Sequence, residues 1–284
     1  MVWSPWVLKS IADIPALVGS AAVVLLASAL LPPPVAAAVV VVGVAAVLLL
    51  CVGRCEPITV RLLYRGRAAR PVESVALAPV LVELCARGLG PPVINLYIRD
   101  TTHEHAAQGV GRRSVLIDAN LVHALQAGRL PAGEAAAVIA HAIGRIQHGS
   151  CRSDLTIRAL TMPWRPVQAA GRSIAHAVAR LPLTVLGWRM RFIVAAVAVA
   201  QSAVDGRTAP AAVIACLVTM TYLSPRARRA LDQLTAQQGD RFAQVHGFGP
   251  SLVAYLRRLP TTNAPLTRIQ DLTDAHPDFV VARR

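Results

Sequence analysis

The apolar positions of this chain gather into four runs separated by short breaks. Ile14 to Leu31 and Val35 to Val52 carry no charge, and each is about 18 residues long, near the length that crosses a hydrocarbon core as helix. Pro32, Pro33 and Pro34 break them into a hairpin, and Trp3 and Trp6 ahead of it suit a membrane interface. Because Lys9 follows those tryptophans and the first run leads into a second span, the pattern reads as an anchored hairpin and not as a signal peptide. Phe192 to Val204 and Thr208 to Leu223, joined by Asp205, Gly206 and Arg207, form a second candidate hairpin. Its first arm is about 13 residues, roughly 20 Å as helix, and spans only if it begins near Leu181 and lets Arg189 and Arg191 snorkel. Two readings stay open: a spanning hairpin, or one buried partly in protein or the inner leaflet.

Between the hairpins the pattern changes to that of a water-soluble segment, Arg54 to Arg180, and a tail follows from Ser224 to Arg284. A helix is predicted over Val72 to Arg87, stopped by Pro91 and Pro92. Val93 to Ile98 and Ser114 to Ile117 read as short β-branched strands flanking a loop from Asp100 to Arg113. From Ala132 to Gly149 the spacing predicts a helix that buries Ala137, Ile139, Ala140, Ile143 and Ile146.

Composition agrees with a membrane protein: of 284 residues 55% are hydrophobic and 15% charged, with a mean hydropathy of +0.51. The net charge of +14 comes from 29 basic against 15 acidic residues, and Lys9 is the only lysine, so the excess is arginine. The arginines are scattered and aromatics make up 4%, which leaves no stacking platform for nucleic acid; anionic lipid headgroups suit the charge better. Arg54, Arg61, Arg65, Arg67 and Arg70 follow the second run while the link between the first two is uncharged, so the positive-inside rule puts the N-terminus and the region after Arg54 in the cytoplasm. The five cysteines (Cys51, Cys55, Cys85, Cys151 and Cys216) include no CxxC pair and read as reduced, with reversible acylation of Cys51 and Cys55 as the sharper alternative.

Chemistry concentrates on the helix of residues 134–149, where a zincin would carry His-Glu-x-x-His: two imidazoles one turn apart hold zinc and the glutamate activates its water. Here His141 stands at the first ligand position, Ala142 at the base and Arg145 at the second ligand. The surrounding Glu134, Val138, Ala140, His141, Gly144, Ile146 and Gly149 resemble the E-x-x-x-V-x-A-H-E-x-G-H-I-x-x-G pattern of the HtpX-like and CAAX-prenyl-protease family of integral membrane zinc metallopeptidases. Glu104-His105-Ala106-Ala107-Gln108-Gly109 followed by Ser114 to Leu121 is similar to that family's N-A-F-A-x-G, strand and G-L-L sequence, which forms an edge for extended substrate. Ala236-Gln-Gln-Gly-Asp-Arg-Phe-Ala243 resembles its E-x-x-A-D-x-x-A, with Ala236 in place of the third ligand and Asp240 and Ala243 matching. Gly247 to Leu259 and Arg268-Ile269 continue the likeness, although the usual preceding His-Pro is missing, and the hairpin, helix, hairpin, helix order covers most of the chain.

The fold class implied is α+β and predominantly helical, a polytopic membrane protein with a zincin-like (gluzincin) cytoplasmic domain. Residues 1–53 are the N-terminal transmembrane hairpin, 54–180 the first part of the zincin-like domain, 181–224 the second hairpin and 225–284 the domain's C-terminal part. The expected location is the bacterial cytoplasmic membrane, multi-pass.

A catalytic zinc of this class needs three protein ligands and an open position. His141 is the only one retained, since arginine offers no lone pair and alanine no donor, and without a base at Ala142 the rate should drop by at least about 100-fold. His148 is seven residues on, about 10.5 Å along the axis, too far to share a metal with His141. His103 and His105 alternate around Glu104 and are either a polar loop or, in a strand, a pair on one side that could help hold a metal. His123, His176, His246 and His276 lack ligand partners at helical spacing, no serine lies in a G-x-S-x-G elbow, and Gly109-Val-Gly111 is not a P-loop. Arg145 is expected to pair with Asp240 across the vacated site.

The expectation is therefore a pseudopeptidase with no cofactor that binds an extended polypeptide or membrane-protein client by strand addition along residues 104–107, in contact with the lipid bilayer and not with nucleic acid. The alternatives are an active zinc endopeptidase of membrane-protein quality control with ligands elsewhere, and a structural membrane subunit. Oligomeric state is not fixed by the sequence.

Overall fold

The computed structural model describes residues 4–90, 94–100, 106–178, 193–194, 196–202, 204–206, 208–259, 268–270 and 272–273. They are predominantly helical with one small sheet, and they group into two compact units: Met1–Ala45 with Ile157–Asp232, and Ala46–Thr156 with Gln233–Arg284. These divisions differ from those suggested by the apolar runs, because residues 157–178 and 225–232 fall with the first apolar helices.

In the first unit, α1 (Pro5–Ala29) and the start of α2 (Pro33–Val52) follow the first two apolar runs. Both helices are long and apolar enough to cross a membrane, and α2 has no buried residue. Twenty helical residues rise about 30 Å, the thickness of a bilayer core. α8 (Trp164–Val178), which follows α7 (Asp154–Leu160) in the chain, packs on α1 so closely that a Cβ at Gly19 would lie 2.6 Å from the Trp164 indole. The fourth apolar run is not an arm ending at Leu223, because it opens a continuous helix, α9 (Thr208–Val245), which passes through Pro225. Ser224 of that helix donates to the Ala12 carbonyl at 3.0 Å. The third run is helical at its described positions between 193 and 204; Phe192 and residues 181–191 lie outside the described residues.

The second unit is built around α6 (Ala132–Gln147). The predicted inward face, Ala137, Ile139, Ala140, Ile143 and Ile146, is buried, but so are Ala135, Ala136, Val138, Ala142 and Gly144. The helix is thus enclosed by α4 (Pro71–Ala86), α10 (Gly249–Arg258) and the sheet, and its small residues let these neighbours approach. At Gly144 a Cβ would lie 2.5 Å from Phe242 Cβ of α9. The core continues through Leu77, Val80 and Leu84 of α4 to Leu252 and Leu256 of α10.

The sheet has the order β1-β3-β2, with β1 (Asn95–Arg99) parallel and β2 (Ala107–Val110) antiparallel to β3 (Ser114–Asp118). Leu96 opposes Val115, and Gly109 opposes the same residue from the other side. β2 lies inside the stretch read as a loop, where Ala-Gln-Gly-Val lacks a β-branched alternation; pairing with β3 makes it a strand. α5 (Ala119–Gln126) begins at once, with Asp118 accepting from the Asn120 amide at 2.9 Å.

Buried acids tie distant segments together. Glu56, at the start of α3 (Glu56–Tyr64), accepts the Arg112 and Arg113 amides at 3.0 Å each and the Ser114 hydroxyl at 2.7 Å, closing the β2–β3 turn. Arg67 forks onto Glu73 through two bonds of 2.7 Å and onto Asp100 at 2.8 and 3.0 Å, while its backbone pairs with Ile98. The Arg67 guanidinium holds the Glu73 carboxyl down at about 2, against the upward push of burial. Arg258 of α10 grips Glu134 at 2.7 and 3.0 Å.

Two outcomes follow for the second unit. Gly144→Ala should cost about 1–3 kcal/mol through overpacking against Phe242, read as a lowered midpoint in thermal unfolding. Glu73→Gln should cost about 1–2 kcal/mol at neutral pH, allowing for solvent screening. Its gap from the parent closes as pH falls from 4.5 through about 2, since there the carboxyl becomes protonated in folded and unfolded chains alike; a gap constant over that window would show that the carboxylate charge is not what matters.

Candidate functional site

His141 projects from the third turn of α6 and meets Asp240 of α9, with Nδ1 2.9 Å from Oδ1. The approach is close but poorly aligned for the ring N–H. Gly239 makes it feasible, since a Cβ there would stand 2.6 Å from His141 Cε1. Two of the stretches singled out in the sequence, almost 100 residues apart, are thereby brought together.

The cation on Asp240 is Arg268 and not Arg145. Arg268 Nε donates to Oδ2 at 2.9 Å and Nη2 to Oδ1 at 2.6 Å, a bidentate grip on a nearly buried carboxylate. Both oxygens are engaged before Arg145 could reach them. Arg145 is half-buried, its Nε has no hydrogen-bond partner among the described residues, and its charge is felt at His141. The resemblance includes Arg268, but nothing in the spacing of the sequence paired it with Asp240, 28 residues away.

Burial pushes the His141 imidazole below its ordinary range, and the charges of Arg268 and Arg145 add to this against the pull of Asp240. The ring is neutral at pH 7. For Asp240, burial alone would push the carboxyl up, but the contacts with His141 and Arg268 outweigh it and the carboxyl titrates below its usual range.

The other expected positions surround this cluster without adding donors. Ala142 is fully buried, and its carbonyl lies under β2, where a Cβ at Gly109 would be 2.6 Å away. Ala236 is half-buried on α9, one turn before Asp240. Among the described residues no three His, Cys, Asp or Glu side chains come together as a metal site. A catalytic zinc does not fit the described residues of this cluster: it would find one imidazole, a carboxylate already committed to a guanidinium and the nearby charge of Arg145.

The expected substrate edge, residues 104–107, is described only at Ala106 and Ala107. Only Ala107 of that segment lies in β2, Ala106 precedes it, and Glu104 and His105, like His103, lie outside the described residues. The strand of Ser114 to Ile117 is central, whereas β2 stands at the sheet's end with no further strand pairing there among the described residues. His148 instead turns back on its own helix, Nδ1 2.8 Å from the Gly144 carbonyl, and His246 does the same to Phe242 at 2.9 Å.

Comparison with protein-family models, with curated proteins and with solved structures finds no match to this chain.

Asp240→Asn should lower stability by about 2–3 kcal/mol, because Arg268 and His141 lose their shared anion. For the parent, stability should begin to fall as pH drops below 6.5, where the unfolded imidazole takes a proton that the folded one refuses. His141→Gln should remove this first leg of the acid profile while leaving the carboxylate leg below 3.8.

Proposed function

We propose that this chain is a catalytically silent membrane relative of the HtpX-like metallopeptidases, which keeps a peptide-binding frame and has lost the cut. One observation carries the reading: the positions that resemble the family's base and second and third ligands are Ala142, Arg145 and Ala236, and they lie around a His141–Asp240 contact locked by Arg268. These three positions supply neither a metal donor nor a base to activate water.

In this reading α1 and α2 cross the bacterial cytoplasmic membrane with the N-terminus inside, and residues 181–224 form the second hairpin of a multi-pass protein. Support comes from α2, apolar on every side with no buried residue, which in water would expose more contiguous apolar surface than a soluble monomer carries. The free end of the sheet at β2 offers backbone groups to an extended segment of a membrane-protein client.

Purified parent protein should hold well under one zinc per chain and leave an unstructured polypeptide uncut. The triple variant Ala142→Glu, Arg145→His, Ala236→Glu should gain about one zinc per chain and chelator-sensitive cleavage if the frame is intact. Stoichiometric zinc and chelator-sensitive cleavage in the parent would overturn the proposal.

A further inference from the structure

Beside the end of α2, the second unit contains an open cleft of about 470 Å³ lined by Arg112, Arg113, Ile146, Gln147 and Arg152. Three of its five lining residues are arginines, and no acidic side chain lines it. Glu56, which contacts the same turn, is turned to the backbone: it accepts the amides of Arg112 and Arg113 and the Ser114 hydroxyl, fixing the turn without pairing with their guanidinium groups. Among the described residues the side chains of Arg113 and Arg152 make no ion pair or hydrogen bond, and both are exposed. Held cations without counter-charges, converging on a concave space, call for an anion with several oxygens.

The position of the cleft selects the anion. Arg112 Nη2 donates to the Cys51 carbonyl at 2.8 Å, satisfying an otherwise open C-terminal carbonyl of α2, and its Cδ would lie 3.2 Å from a Cβ at Gly53. The cleft is therefore pinned to the last turn of the most apolar helix in the chain. α3, which follows, turns Glu56, Thr59, Val60 and Tyr64 inward and leaves Ile58 and Leu62 exposed beside Arg61 and Arg65, the composition of a helix lying at a headgroup boundary.

We infer that the cleft of Arg112, Arg113 and Arg152 is a binding site for the phosphate of an anionic phospholipid headgroup of the leaflet that α2 leaves. Arg113 and Arg152 grip the phosphate oxygens, Arg112 holds the cleft against the helix end, and the acyl chains run along α2. The inference rests on the membrane reading of α2 proposed above.

The test uses the full chain purified in a neutral detergent and titrated with short-chain phosphatidylglycerol, short-chain phosphatidylcholine and inorganic phosphate, with binding followed calorimetrically. Saturable one-to-one binding of phosphatidylglycerol is expected, with phosphatidylcholine and inorganic phosphate each at least about tenfold weaker. Arg113→Gln and Arg152→Gln should each weaken it on the order of tenfold, the loss of one charge-assisted contact, with unchanged unfolding midpoints. Arg241→Gln, an exposed arginine outside the cleft, should leave it unchanged.

Equal binding of inorganic phosphate would overturn the lipid assignment, and an equal loss in Arg241→Gln would reduce the effect to net charge and overturn the site. Alkaline extraction of membranes carrying the parent chain separates the two layers of the argument. A chain released from the membrane sinks the membrane reading itself, whereas a retained chain whose cleft variants bind as the parent does sinks only the cleft.

Discussion

The second unit depends on the burial of most of α6 by neighbours on several sides. A helix in that position must be apolar over most of its circumference, and where neighbours approach closest it must also be small. Ala135, Ala136, Ala137, Ala140, Ala142 and Gly144 meet both demands, and through them α4, α10, β2 and Phe242 of α9 share one core. His141 and Arg145 are the polar groups on the side of α6 that faces α9, and both have had to find terms with a nearly water-free surrounding. His141 stays neutral beside an anion, and Arg145 remains half-exposed. Ala142 is itself fully buried, and its carbonyl is the atom that Gly109 of β2 lies against.

A second constraint is the scarcity of acid. With 15 acidic residues against 29 basic ones, the buried carboxylates are spent as ties: Glu73 on Arg67, Glu134 on Arg258, Asp240 on Arg268 and Glu56 on the amides of the β2–β3 turn. Each tie joins segments that hydrophobic packing alone would place less definitely, since a bidentate guanidinium–carboxylate pair fixes orientation as well as distance. The remaining arginines lie largely at the surface, several of them around the end of α2. The same residue type thus serves in pairs with buried acids and, at Arg113 and Arg152, as exposed side chains with no ion pair among the described residues.

Much of the fold could be read along the chain. The helix expected over Val72 to Arg87 runs from Pro71 to Ala86, and the one expected from Ala132 to Gly149 ends at Gln147. The strands expected near Val93 to Ile98 and Ser114 to Ile117 are β1 and β3. Of the candidate site, His141, Ala142 and Arg145 stood out by spacing and Ala236 and Asp240 by resemblance, and the structure brings His141 and Asp240 into contact. Arg268 as the partner of Asp240 did not stand out, nor did Glu56 as the clamp of a turn more than 50 residues away.

By itself the sequence determined where helices form and which of them are apolar enough for a bilayer, because periodicity and run length are local properties of consecutive residues. It also determined that Ala142, Arg145 and Ala236 offer no metal donor, since that depends on residue identity alone. Only the tertiary structure decided that α9 continues unbroken past Leu223, that Ala107–Val110 is a strand, and that Arg268 rather than Arg145 neutralises Asp240. These are choices among partners far apart in the chain, made by which groups packing leaves within reach of one another, and no spacing rule encodes them.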